Sequence, residues 1–199
     1  MFAMAKLVLA MFTSIDGCIE RPGGVFESPE WSDDVERHWS GRALSEAAHL
    51  LYGRVNFLFN KAFWMAAGTD PASPAAAIPH AATMNALPKT VVSRTLSGDP
   101  GWNGRLAGPD LAAEVARLKA TVDGGDVWSF GGAGLADSLL RLGLVDELRL
   151  MVTPVLYGGG KALFTPGRAP EMAELLETLP LDTGAVILHW RLGARVDAD

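Results

Sequence analysis

The chain has 199 residues, 49% hydrophobic and 20% charged, a balance that fits one folded domain with a sizeable core and excludes a disordered chain. Its formal net charge of −6 argues against general binding to nucleic acid or to an anionic membrane surface, but not against a phosphorylated small ligand, for which a local pair of arginines is enough. The single cysteine, Cys18, excludes an internal disulfide and a cysteine-based metal cluster.

Met1 to Phe12 carries one lysine and a short apolar run, without a basic leader and cleavage site, and no run in the chain reaches membrane-spanning length; the expectation is a cytoplasmic protein with no membrane contact. Lys6 to Phe12 reads as a buried strand, and Asp16-Gly17 as a turn after which Cys18-Ile19 resumes pairing. Arg21 to Pro29 is loop-like, Glu30 to Ala48 reads as one helix with acidic residues near its start, His49 to Tyr52 as a strand and Arg54 to Trp64 as a helix. The Ala/Pro-rich stretch Gly68 to Pro79 reads as an exposed insertion, followed by a short helix to Leu87. Lys89 to Ser93 is a strand, and Pro109-Asp110 starts a helix through Ala120 with Leu111, Val115 and Leu118 on one face. Asp126 to Phe130 is a strand, Leu135 to Leu142 a helix whose Leu135, Leu139 and Leu142 share a face, Glu147 to Thr153 a strand, and Pro154 to Gly160 a loop. Glu174 to Leu179 and Ala185 to Leu192 are two closing strands around a turn at Asp182 to Gly184. Strands that alternate with helices and then run consecutively predict an α/β fold: a mixed, mainly parallel sheet with an antiparallel edge, in a single domain.

The stretch Trp128 to Leu135 places Gly131, Gly132 and Gly134 between a strand and a helix. Such a turn lets backbone approach a ligand, and the helix start adds unpaired N–H groups and a positive dipole end, which suit a phosphate. A tight structural turn uses the same glycines. Gly53-Arg54 and Ser93-Arg94-Thr95 each follow a strand, where ligands of open α/β sheets lie, and two arginines there can clamp one phosphate. Other chemistries fail on particular residues. His38, His49, His80 and His189 have no partner at a metal-ligand spacing, so no metal is expected. Ser129, Asp146 and His189 follow a serine-hydrolase order, but Val127 stands where a nucleophile elbow needs glycine. A dinucleotide fingerprint at Gly132 has Asp137 where Gly or Ala is required, and a P-loop at Gly158 to Lys161 has Val155 for its first glycine and Ala162 for its Ser/Thr.

Four segments in order, Thr13 to Gly17, Leu51 to Arg54, Lys89 to Leu96 and Gly125 to Phe164, resemble the dihydrofolate-reductase-like superfamily. The closer likeness is to the C-terminal reductase domain of the bifunctional riboflavin-biosynthesis deaminase-reductases and their stand-alone relatives. The likeness runs from about Lys6 to Trp190. It implies a three-layer α/β/α sandwich, one reductase domain over residues 1–199 with a core at about 5–192, and NADPH as cofactor. By that resemblance Gly53, Arg54, Ser93, Arg94 and Thr95 match positions on the adenosine 2′-phosphate side, and Gly131, Gly132, Ala133, Gly134 and Leu135 match the pyrophosphate turn. Asp16 matches an acidic position near where nicotinamide and substrate meet, a candidate for proton supply or for binding a ring amine, and Trp31 and Trp64 are candidates for an aromatic substrate wall. The implied reaction is hydride transfer to a pterin-like or ribosylamino-pyrimidine substrate, foremost 5-amino-6-(5-phosphoribosylamino)uracil. A dihydrofolate-reductase-like enzyme of other substrate and a non-catalytic NADPH-binding protein are the alternatives. Val55-Asn56-Phe57-Leu58 departs from the Arg/Lys-Thr-Tyr-Glu of many relatives, leaving Asn56 to reach phosphate, and no zinc-deaminase signature precedes the reductase part. A homodimer with two separate clefts is expected, built on the late strands.

Overall fold

The computed structural model describes residues 4–167 and 170–195. β1 (Leu7–Thr13) is buried along almost its whole length, as a central strand covered on both faces must be. A short β2 (Cys18–Glu20) follows the Asp16-Gly17 turn and pairs with β8 (Lys161–Ala162) in a separate two-stranded ribbon. The expected single helix at Glu30 to Ala48 is instead α1 (Asp33–Val35), a π-helical stretch Glu36–Gly41 and α2 (Arg42–Glu46). Its start is delayed to Ser32, whose hydroxyl accepts from the Val35 N–H at 3.1 Å and so caps the first turn.

β3 (Ala47–Gly53), α3 (Arg54–Thr69), a 3₁₀ turn (Pro74–Ala77), α4 (Ala81–Ala86), β4 (Lys89–Val92), β5 (Gly104–Leu106), α5 (Leu111–Thr121), β6 (Asp126–Phe130), α6 (Ala133–Arg141), β7 (Glu147–Val152), β9 (Glu171–Pro180) and β10 (Val186–Arg195) complete the chain. The main sheet has the order β5-β4-β3-β6-β1-β7-β10-β9. Its first six strands are parallel, and β10 is antiparallel to both β7 and β9. The mixed sheet and its antiparallel edge are therefore as expected.

Side chains alternate across each strand, and the two faces carry separate cores. Val8 and Ala10 of β1 and Trp128 of β6 pack with Val35, Trp39 and Ala43 of the first helical segment and Phe57 of α3. Leu7, Leu9 and Met11, with Val127, pack instead with Val115 and Leu118 of α5 and with Leu135, Leu139 and Leu140 of α6. The result is the three-layer α/β/α sandwich.

One local expectation fails, and two details escape the sequence. Leu142 is 54% exposed because it caps the end of α6, and Leu140 takes the third core position. The Gly68 to Pro79 stretch is largely exposed, as expected, but α3 runs on to Thr69 and the rest folds back on that helix, burying Ser73 and Ala75. β5 and β8 escape sequence reading because three and two residues are too short to show a period.

Candidate functional site

The six parallel strands end on one rim. β3 feeds α3 on one face of the sheet, and its neighbour β6 feeds α6 on the other. Adjacent strands whose connections leave on opposite faces open a crevice at their carboxyl ends. The glycines make it tight. A Cβ on Gly53 would lie 3.4 Å from the Leu135 Cβ, so the starts of α3 and α6 touch. Gly131 (φ 66°) and Gly132 (φ 86°) turn the chain into α6 through left-handed backbone. Neither Gly53 nor Gly132 caps its helix with a side chain, so two sets of first-turn N–H groups converge on this rim.

The basic residues lie beside them. Gly53 of β3 is in register with Val92 of β4, which puts Arg54 and the Ser93 to Thr95 turn next to each other. Ser93 Oγ accepts from the N–H groups of Thr95 (3.1 Å) and Leu96 (2.8 Å), shaping the turn and leaving its own proton to donate. Arg54 and Arg94 are exposed, and neither has a carboxylate partner among the described residues. Two exposed guanidiniums beside two helix starts form a basic cradle of the kind that suits a phosphate group. The structure thus brings together Gly53, Arg54, Ser93, Arg94, Thr95 and Gly131 to Leu135. Asn56 stands at the same corner, one N–H of its amide donating to the Phe130 carbonyl.

Asp16 lies farther along the rim, past the end of β1. Its carboxylate accepts from the Ser14 hydroxyl (2.6 Å) and the N–H groups of Tyr157 (3.2 Å) and Gly158 (2.8 Å). The Ser14 bond first, then the backbone N–H of Tyr157, holds the Asp16 carboxyl below its ordinary range. A group so engaged stays ionised and ties the loop after β7 to the turn after β1; proton supply is the role its geometry favours least.

A second feature lies on the same face as α3. The α1–α2 segment covers the β1, β7 and β10 side: Trp39 packs on Phe12 at 5.0 Å, and Arg149 donates to the His38 carbonyl at 2.9 Å. α3 covers β3 and β4. Between them, over β6, runs a packed seam floored by Trp128, which is fully buried, and Phe130, their rings stacked at 5.9 Å. Trp31 borders it edge-on to Phe12 at 6.3 Å. Along α3, Asn56, Asn60 and Trp64 recur every four residues and bond in sequence: Asn60 donates to the Asn56 amide oxygen (2.9 Å), and the Trp64 indole donates to Asn60 (3.1 Å). His80, brought in by the folded-back segment, crosses from Trp64, with ring centroids 5.2 Å apart, to pair through Nδ1 with Glu36. The other Glu36 oxygen accepts from the Trp31 indole at 2.9 Å. Trp31 and Trp64 are therefore linked through Glu36 and His80. Sequence reading missed Glu36 and His80, which are far apart in the chain; the four-residue spacing of Asn56, Asn60 and Trp64 was the one legible signal.

A hydrolase triad is excluded by the sheet. Ser129 faces α5 and α6, whereas His189 faces the opposite side, against Glu147 and Arg149. A polar cavity of about 350 Å³ lined by Lys6, Glu46 and His189, among others, lies at the amino ends of the strands, away from the cradle. No helix among the described residues is long and apolar enough to cross a membrane.

The family model described as the RibD C-terminal domain matches residues 5–187. The uncharacterised protein YyaP of Bacillus subtilis (strain 168) is 37% identical over 83 residues, a match that spans 41% of this chain and 44% of that relative's length. A solved protein of Shewanella sp. PV-4, provisionally assigned to riboflavin biosynthesis, superposes with a TM-score of 0.70 at 21% identity, covering 96% of this chain and all of that one. Dihydrofolate reductase from Enterococcus faecalis, solved with NADP(H), superposes with a TM-score of 0.56 at 14% identity, covering 98% of this chain and 100% of that one. At these identities the structural likeness establishes the fold, and it is the dihydrofolate-reductase-like fold.

Proposed function

This chain belongs to the RibD C-terminal domain family, and from that premise we propose that it is an NADPH-dependent reductase, one domain over residues 1–199 that acts on a small flat substrate of the riboflavin-pathway kind. The observation that carries the reading is the cradle: the touching helix starts at Gly53 and Leu135, with Arg54 and Arg94 beside them, neither paired with a carboxylate among the described residues. Arg54, Arg94, Ser93 and Thr95 would hold a 2′-phosphate, and Gly131 to Leu135 a pyrophosphate. The bound cofactor supplies a hydride. The chain's own part is to bind, orient and exclude water: Phe12 and Trp31 form an apolar wall, while Asp16 keeps the 157–158 loop against the rim. Asp16 enters as a loop anchor and an acceptor for a ring amine. Trp31 and Trp64 enter as the substrate wall.

Foremost among substrates is 5-amino-6-(5-phosphoribosylamino)uracil, then dihydrofolate. Purified chain, NADPH and each compound in turn, followed by loss of NADPH absorbance, tests the reading; turnover of the pyrimidine is expected. Turnover of dihydrofolate alone would move the protein to the second reading. NADPH binding without turnover of either would make it a non-catalytic binding protein. The assembly is proposed as a cytoplasmic homodimer. The edge strand β9 exposes Met172 and Leu175 and half-exposes Leu176, a surface that a second copy would cover. Light scattering checks it: a stable monomer at micromolar concentration refutes the dimer and leaves the reductase reading untouched.

A further inference from the structure

The corner between the two helix starts ends a hydrogen-bonded run with a fixed direction. Trp64, Asn60 and Asn56 stand four residues apart on α3, one above the other on one face. An indole nitrogen only donates, so the 3.1 Å contact from Trp64 Nε1 makes the facing Asn60 atom its amide oxygen. The Asn60 nitrogen is thereby turned the other way. There it meets two acceptors at 2.9 Å, the Asn56 backbone carbonyl and the Asn56 amide oxygen. The Asn56 nitrogen in turn faces the Phe130 carbonyl, which only accepts. Neither amide can turn over without setting oxygen against oxygen. The run ends at the cradle: a Cβ on Gly131 would lie 3.3 Å from Asn56 Nδ2, and one on Gly132 3.7 Å from Asn56 Cβ. Nδ2 carries two protons and the Phe130 carbonyl takes one, which leaves a donor beside the glycine turn.

Resting on the reductase reading, we propose that Asn60 and Trp64 are positioning residues for the dinucleotide: they hold the Asn56 amide with its nitrogen, never its oxygen, toward the Gly131–Gly132 turn that would hold the pyrophosphate. The anion then meets a donor that is set in place before it binds, and no ordering cost falls on binding. Without Asn60 the Asn56 amide keeps its bond to Phe130 alone, and it is free to swing off the turn or to present oxygen to an anion. The pyrophosphate is common to NADPH and NADH, so the run acts on both alike, whereas Arg94 acts on the 2′-phosphate.

Two measurements on the full chain test this. Asn60→Leu keeps the size and helix propensity of the side chain and removes its hydrogen bonds. Fluorescence titration should find NADPH and NADH both weakened by about 5-fold, the worth of one lost hydrogen bond. Adenosine 2′-monophosphate, which lacks the pyrophosphate, should bind as it does to the wild type. A loss confined to NADPH, a loss shared by adenosine 2′-monophosphate, or no loss at all overturns the proposal and leaves the reductase reading standing. A wild type that binds neither dinucleotide overturns both. NMR of the ¹⁵N-labelled chain without ligand should show cross-peaks from the Asn56 side-chain amide protons to the Gly131 α-protons, weakened in Asn60→Leu. Their absence from the wild type overturns the proposal whatever the titrations give.

Discussion

Removing the Arg94 guanidinium separates a phosphate clamp from an ordinary surface charge. Arg94 is exposed and pairs with no carboxylate among the described residues, so Arg94→Ala should leave stability within about 0.5 kcal/mol of the wild type. A charge-assisted hydrogen bond to phosphate is worth about 1.5–3 kcal/mol. Exposure to solvent and salt puts this one at the lower end, about 1.5–2 kcal/mol, or roughly a 10- to 30-fold rise in the NADPH dissociation constant. NADH lacks the 2′-phosphate, and its affinity should change by less than about 3-fold. Urea unfolding reads the stability, and equilibrium titration by tryptophan fluorescence, with both cofactors at two ionic strengths, reads the two affinity changes. The NADPH loss should shrink as salt rises. Equal losses for the two cofactors, or no loss for either, would refute the placement of the 2′-phosphate beside Ser93 to Thr95.

Gly134 lies in the first turn of α6 with open space where a Cβ would stand. Gly134→Ala should therefore raise the melting temperature by about 2–4 °C, from about 1 kcal/mol of helix propensity, while weakening NADPH binding; raised stability with unchanged affinity would show that the turn is structural only. Burial first, then the charges of Arg105 and Lys89, pushes the His49 imidazole down to about 4. Because the folded value lies below the ordinary 6.5, the unfolded chain takes up a proton between pH 6.5 and 4 that the folded one refuses, so stability falls as the pH drops through that window, by on the order of 2–3 kcal/mol. Urea unfolding at pH 7 and pH 4.5 measures the fall, and His49→Gln should reduce it. Leu139 is fully buried between α6 and the sheet; Leu139→Ala should cost about 2–5 kcal/mol in chemical denaturation, and a cost below 1 kcal/mol would contradict the packing described.

Much of the frame was legible because it rests on local signals. The continuous apolar run of β1 predicts a strand buried on both faces, and the structure has it at Leu7–Thr13. The glycine turn before α6 and the Gly-Arg after β3 are short motifs whose backbone chemistry does not depend on distant residues. The sequence also announced an exposed insertion at Gly68 to Pro79, because alanine and proline carry no periodic apolar face, and most of the stretch is exposed. Its burial of Ser73 and Ala75 against α3 depends on a surface elsewhere in the chain.

The sequence by itself determined the alternation of strands and helices and the antiparallel end of the sheet, since periodicity and turn chemistry act over a few residues. Only the tertiary structure decided what those residues meet. It bound the Asn56 amide to the Phe130 carbonyl and the Asp16 carboxylate to Tyr157 and Gly158, and it put Ser129 and His189 on opposite faces of the sheet. It also brought His80 against Glu36. Such contacts join residues tens of positions apart, and their partners follow from strand order and helix placement, which no local pattern encodes.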